Sequence, residues 1–326
     1  MSALRAWSAT ALVATLVMAA ACESPVNQRL LEVDANGSVL VFIFRDDNLN
    51  RVYNLGVDRP VANGTYSLRM RGGTNVVRVT TDTAGLNIAG VPAGRYTLEV
   101  EATVLGDSLE VIAGTTEFTI AATDTVNRDV VLAYKTVSPT AARASTIGRR
   151  VWLNGVALNA PGTFGDSTVH VTDGPSSIRA FAVLPAPIVA GDSVLFLGRV
   201  ATLDGQPAFE VASQLIRGAR VVVLADTVTT AEAASARGGL ADAALVRVLD
   251  AAIGDTATDP LGNRVLTVDD GSGALVVILS RNQSWAPINQ FTIGAKLHAT
   301  GVLIPDPAKP SAWLLKPRTR SDVLVF

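Results

Sequence analysis

The sequence predicts an all-β chain, a seven-stranded-type β-sandwich followed by two small Greek-key barrels. Three observations carry that expectation. Short runs rich in β-branched and aromatic residues recur at regular spacing between turn residues. No amphipathic pattern is long enough for a substantial helix. The second half also contains a repeated strand pattern. Apolar residues make up 48% of the 326-residue chain and charged ones only 17%, enough for a sizeable core. The formal charge is −2 and neither half is basic, so the composition lacks the footprint of a general nucleic-acid binder.

The first 21 residues read as an export signal. Arg5 supplies a positive start, and Ala9–Ala21 is an apolar run shorter than the roughly twenty residues a membrane-spanning helix needs. Ala19, Ala20 and Ala21 lead directly to Cys22, the sole cysteine, so no intrachain disulfide can form. This arrangement resembles the lipobox of bacterial lipoproteins, with alanine at Ala19 where leucine is commonest. The resemblance implies that Cys22 becomes the lipidated first residue of an envelope protein. Cleavage after Ala21 without lipidation is the alternative. Glu23 follows, not the aspartate that some such families use for inner-membrane retention, which points to the outer membrane. Residues 22–35 are polar enough for a tether.

Residues 36–135 supply the sandwich. Val39–Phe44 is a continuous apolar run ended by Asp46-Asp47-Asn48. Thr65–Arg71 alternates, with Tyr66, Leu68 and Met70 on one side. Val76–Thr81, Arg95–Ala102, Glu117–Ile120 and Asp129–Leu132 continue the series. Thr80-Thr81-Asp82-Thr83-Ala84-Gly85, followed by Val91-Pro92-Ala93-Gly94-Arg95-Tyr96-Thr97-Leu98, resembles the carboxypeptidase regulatory-like, transthyretin-like sandwich. The resemblance departs at the long Arg45–Asp58 segment, and it implies a non-catalytic structural or binding module. Tyr96 is expected to point inward, with a hydroxyl that needs a partner.

Residues 136–146, with Pro139 among small residues, are expected to be a linker in which Thr140–Ala144 could make one helical turn. Residues 147–225 and 226–326 then form the two repeats. Val171-Thr172-Asp173-Gly174 through Phe181 matches Val268-Asp269-Asp270-Gly271 through Ile278, each a hairpin around an Asp-Gly turn. Gly191–Gly198 matches Gly294–Gly301, and Ala208–Val211 matches Ala312–Leu315. A growing offset between the copies places a longer loop at Ser280–Phe291. Thr230–Ala236 is helix-prone, with Thr229 or Thr230 as N-cap and Gly238-Gly239 as the stop, and bridges into the second copy. Five short strands with a glycine-flanked fourth element resemble the OB fold, and tandem OB-like domains occur in exported bacterial proteins.

Catalysis finds little support. Gly106-Asp107-Ser108-Leu109, Gly165-Asp166-Ser167 and Gly191-Asp192-Ser193 invite a serine-hydrolase reading. That chemistry needs a histidine base oriented by a carboxylate. His170 and His298, the sole histidines, lie in separate repeats. The triplets therefore read as turns. Asp250, Asp255, Asp259, Asp269 and Asp270 make the second repeat carboxylate-rich, yet Asp255–Asp259 lacks the spacing and glycine of an EF-hand loop. No catalytic residue, metal or cofactor is expected.

The OB resemblance raises nucleic-acid binding, which needs a basic groove and exposed aromatics. Most aromatics here sit in alternating apolar strands and read as core. Trp285, in a polar loop between Arg281 and Pro287, is the best exposed candidate. Arg149, Arg150, Lys316, Arg318 and Arg320 are the basic clusters that could join it. The sequence favours a non-enzymatic, membrane-anchored envelope lipoprotein that acts as a binding or scaffolding module, its partner an envelope protein, a glycan or a nucleic acid. A surface binder of nucleic acid or oligosaccharide through the barrels is the alternative.

Overall fold

The computed structural model describes residues 35–326 apart from 75, 286 and 310, and apart from the side chain of 219. The signal, Cys22 and the tether up to residue 34 lie outside the described residues. The chain is all-β, a sandwich followed by two OB-like barrels.

The sandwich is built from β1 (Asn36–Arg45), β2 (Arg59–Pro60), β3 (Thr65–Met70), β4 (Val76–Thr80), β5 (Leu86–Pro92) and β6 (Gly94–Val100). A single-turn helix, α1 (Ala102–Leu105), precedes β7 (Leu109–Ala113), β8 (Phe118–Ile120) and β9 (Thr125–Tyr134). One sheet runs β2-β1-β9-β7, with β5 also paired antiparallel to β1. The other runs β4-β3-β6-β8. Alternation decides which side chains enter the core. Val39, Val41 and Ile43 of β1 are buried, as are Tyr66 and Leu68 of β3 and Tyr96, Leu98 and Val100 of β6. Tyr96 faces inward as expected, and its hydroxyl donates to the Pro92 carbonyl at 2.7 Å.

The contacts divide the chain into two compact units, and the boundary does not follow the sandwich. Arg45–Arg59, Ala102–Ile112 and Val131–Tyr134 belong to the same unit as the barrels. The long Arg45–Asp58 segment is organised by two buried carboxylates. Asp46 accepts backbone N–H groups of Asn48, Leu49 and Arg51, and Asp58 accepts those of Asp47 and Asn54. Leu49 and Leu109 then pack against Tyr134, Trp152, Leu195 and Leu197, the last three on the outer surface of the first barrel.

The stretch 136–146, expected as a linker, is part of the first barrel. It contains β10 (Thr136–Val137), parallel to the start of β11 (Arg150–Ala157), and α2 (Pro139–Arg143). Ser138 caps α2 through its side chain, and Pro139 occupies the first turn, where no N–H is needed. The barrel continues through β12 (Val169–Thr172), β13 (Ser177–Phe181), β14 (Asp192–Leu203) and β15 (Gln206–Arg220). Its order is β11-β12-β13-β15-β14, closed by β14 on β11, with β13 and β15 parallel. The second barrel repeats this. β16 (Asp226–Thr227) and α3 (Thr230–Ala234) lead into β17 (Leu245–Thr258), β18 (Arg264–Asp269) and β19 (Leu275–Leu279). β20 (Lys296–Pro305), β21 (Trp313–Lys316) and β22 (Val323–Val325) complete it. The order is β17-β18-β19-β21-β20, closed by β20 on β17, with β19 parallel to β21. Thr229 caps α3 in a capping box with Glu232.

The repeated residues have physical reasons. The aspartate of each Asp-Gly hairpin reaches back to the helix that starts its copy: Asp173 accepts Thr140 N–H, and Asp270 accepts Thr230 N–H and hydroxyl. Gly198 and Gly301 lie where the fourth strand of each barrel passes closest to the fifth. A Cβ on Gly198 would fall on the Glu210 carbonyl, and one on Gly301 would lie 2.6 Å from the Lys316 backbone. Replacing either glycine with alanine is therefore expected to cost about 1–3 kcal/mol through overpacking against backbone. Chemical denaturation of Gly198→Ala and Gly301→Ala checks this, and wild-type stability in both would contradict it.

Candidate functional site

Alternation along β12 and β13 sends Val169, Val171, Ile178 and Ala180 into the first barrel's core. It leaves His170, Thr172, Ser177, Arg179 and Phe181 on the outer face, with His170 directly opposite Arg179 across the strand pair. In an OB barrel the face of the second and third strands, with the adjoining loops, is where ligands bind. The corresponding face of the second barrel carries Val265, Thr267, Val276 and Ile278, without aromatic or cationic side chains.

The first face is covered rather than open. The loop of residues 158–168 folds over it, and the Phe164 ring meets the His170 ring edge-on at 5.8 Å. The second barrel closes the far side with Ile304, Pro305, Pro307 and Lys316. Between them lies a cleft of about 440 Å³, also lined by Asp166, Phe181 and Asp204, within the size range of small-ligand sites.

The charges in the cleft are unevenly answered. Arg179 is almost fully buried; its guanidinium donates to Asp204 at 2.8 Å and to the Leu203 carbonyl, while Nε has no partner. The Lys316 ammonium stands 5.6 Å over the Phe164 ring. Among the described residues, no carboxylate comes within ion-pair distance of it. Burial lowers the Lys316 pKa, against the pull of Asp166 and Asp259. Asn159 sets the His170 tautomer. Its Nδ2 donates to the Ala160 and Thr168 carbonyls, so its Oδ1 must accept from both the His170 backbone N–H and Nδ1–H. His170 Nε2 therefore carries a lone pair, buried and without a hydrogen-bond partner. Burial, helped by Arg179 and Lys316, pushes the His170 pKa down to about 3.

What holds the two barrels against this cleft is a buried ionic group. Arg143 of α2 contacts Asp242 of the second repeat at 3.3 Å and donates to the carbonyls of Ser177 and Gly239. Asp242 is fully buried, and its other oxygen accepts Trp313 Nε1–H at 2.9 Å. Leu158, Leu245 and Val302 form an apolar cluster between the barrels.

The residues expected from sequence are placed differently. Trp285 is a correction: it is 6% exposed, sits in the second barrel's core and donates to the Ser280 carbonyl at 2.7 Å. Phe291, farther along the same loop, is turned into that core as well. Arg318 is tied to Asp322 at 3.0 Å and to the Leu158 carbonyl, and Arg320 to Gln290 and the Val323 carbonyl. Arg149 donates to Ser145 and to the Asp107 carbonyl, and Arg150 lies over the Tyr134 ring. These arginines do not line the cleft; of the expected basic residues only Lys316 does. His170, Arg179, Phe164 and Asn159 belong to no motif that marks them in the sequence as ligands. The sequence signal available was His170 and Arg179 at outward positions of strands whose neighbours face the core. The second repeat's acids act in turns: Asp259 caps Leu261 and Asn263, and Asp269 caps Gly271 and Gly273.

No family model matches the sequence, and no curated protein matches it. Among solved structures, the chain is similar to the minor pilin GBS52 of Streptococcus agalactiae at 15% identity and a TM-score of 0.25. That likeness covers 31% of this chain and 45% of the pilin, so the chain spans less than half the pilin's length. The telomere capping protein Ten1 of S. pombe is similar at 20% identity, over 26% of this chain and 79% of Ten1, with a TM-score of 0.20. The p204 HINb domain is similar at 13% identity, over 49% and 84%, with a TM-score of 0.24. Likenesses of this size carry no functional argument.

The buried histidine has a pH consequence. Its folded-state pKa lies below the ordinary value of 6.5, so the stability of keeping it neutral is complete above pH 6.5 and is lost as pH falls towards 3. Between those limits this one group contributes a slope of up to about 1.4 kcal/mol per pH unit. Urea denaturation of wild type and His170→Gln from pH 7 to 4 should show a shallower acid decline in the variant. Equal slopes would show that His170 titrates normally.

Proposed function

We propose that the chain is a non-enzymatic, lipid-anchored module of the cell envelope that binds or scaffolds through its tandem barrels. The supporting observation is the Arg143–Asp242–Trp313 connection, which holds the ligand face of one barrel against the second. A pair of barrels fixed in this way presents one composite cleft instead of two independent domains. The anchor is Cys22, with the outer membrane as the proposed destination. The resemblance of Val91–Leu98 to the carboxypeptidase regulatory-like sandwich supports a non-catalytic role for the N-terminal part. The environment of His170 supports it too, because burial pushes its pKa down to about 3, far below the near-neutral value that suits a general base. Among the described residues, no helix is long and apolar enough to cross a membrane.

Metabolic labelling with a fatty-acid analogue tests the anchor. Wild type is expected to carry label and to stay with washed membranes, whereas Cys22→Ser should lose the label and the membrane association. Label retained by the variant would refute the assignment.

Single-strand binding along the barrels is disfavoured by the burial of Trp285 and the pairing of Arg318 and Arg320. Oligothymidylate is accordingly expected not to retard the protein in a gel even at low salt. Salt-sensitive retardation would replace the present reading with a nucleic-acid one.

A further inference from the structure

We infer that the cleft between the barrels takes a small anionic sugar, a hexose unit carrying a carboxylate or phosphate. This inference rests on the binding-module reading above and specifies its ligand class. Three features converge on it. The first is unanswered positive charge. Lys316 reaches into the cleft from the second barrel and meets only an aromatic face, and Arg179 from the first barrel keeps an unpartnered buried Nε. The acids nearby are engaged elsewhere: Asp166, exposed, caps Thr168 N–H; Asp204, exposed, is half spent on Arg179; and Asp259, which acts on Lys316 at longer range, caps Leu261 and Asn263. An anion seated between Lys316 and Arg179 would answer both cations at short range.

The second feature is the His170 Nε2 lone pair. A neutral imidazole acceptor beside two cations is a poor seat for a metal ion and a poor partner for a bare anion. It suits a hydroxyl group that donates a hydrogen bond while the anion on the same molecule engages the cations. That requirement separates a sugar acid or sugar phosphate from acetate or inorganic phosphate. The third feature is the wall. Phe164, Phe181, Pro305 and Pro307 present flat apolar surfaces of the kind that the C–H face of a pyranose packs against. Nε2 is itself out of solvent, and the Phe164 ring lies 5.8 Å from the imidazole, so the sugar reaches Nε2 when that ring, carried on the 158–168 loop, turns aside. The cleft needs both barrels, because Ile304, Pro305, Pro307 and Lys316 come from the second and the rest from the first.

The chain has two histidines, which makes the test direct. In full-length protein labelled with nitrogen-15 at histidine, the His170 ring should show a protonated Nδ1 and an unprotonated Nε2 at pH 7. Titration with glucuronate or glucose 6-phosphate should move the His170 Nε2 signal saturably and leave His298 in place. The two ligands separate a carboxylate source from a phosphate source. Neutral glucose should move the signal at least tenfold less at equal concentration. Lys316→Met, which breaks no side-chain hydrogen bond among the described residues, should keep the free-state His170 signal and weaken binding at least tenfold. No saturable shift with either anionic sugar would overturn the inference, as would an equal response to glucose or unaltered affinity in Lys316→Met. Such a failure leaves the Cys22 labelling outcome untouched, so loss of the ligand class and loss of the lipid-anchored reading are distinguishable.

Discussion

A single carboxylate with no exposure to solvent, Asp242, is the constraint on which the paired barrels depend. A buried charge is tolerated only when its partners are in place, and removing one partner of such a pair typically costs about 3–5 kcal/mol. Asp242 has Arg143 from the first repeat on one oxygen and Trp313 from its own repeat on the other. Each barrel has its own apolar core, and in the docked arrangement, where water is excluded, Asp242 is answered from both repeats. The carboxylate therefore specifies how the barrels meet more than it adds to their stability. The apolar contact of Leu158 with Leu245 and Val302 supplies the non-directional part of the same interface.

The two copies show how one topology is put to different uses. Each has a short parallel strand, a capped single-turn helix, an Asp-Gly hairpin whose aspartate returns to that helix, and a glycine where the fourth strand meets the fifth. These features serve closure, and both copies keep them. The outward positions of the second and third strands are under no such demand. In the first copy they carry His170, Arg179 and Phe181, and in the second Thr267, Val276 and Ile278. The longer loop of the second copy is spent on its own core, through Trp285 and Phe291. The long first loop of the first copy, with Phe164, is spent on the cleft.

Much of the fold was legible in the sequence because strand periodicity and turn chemistry are local. Tyr66 and Leu68 on one face, Tyr96 pointing inward, the Asp-Gly hairpins and the Thr229 cap all follow from neighbours in the chain. In the stretch 136–146 the single helical turn is legible locally, and α2 bears it out, whereas the reading as a linker misses β10. That strand exists through pairing with Trp152 and Leu153, a dozen or more residues away. Trp285 was misread for the same kind of reason. A tryptophan between polar residues looks exposed until the loop around it is closed over a barrel mouth.

By itself, the sequence determined the all-β class, the repeat and the position of the sole cysteine, since each depends on composition or on spacing within a few residues. Only the tertiary structure decided which charges are spent and which remain. Arg318 and Arg320 resembled a basic patch with Lys316 because they are adjacent in the chain. Folding pairs the first two with Asp322 and Gln290, and it sends Lys316 alone across the barrel interface to His170 and Arg179. The physical reason is that the strength of a charge depends on its desolvation and its partners, and for Lys316 both are set by Phe164, His170 and Arg179, more than a hundred positions away in the chain.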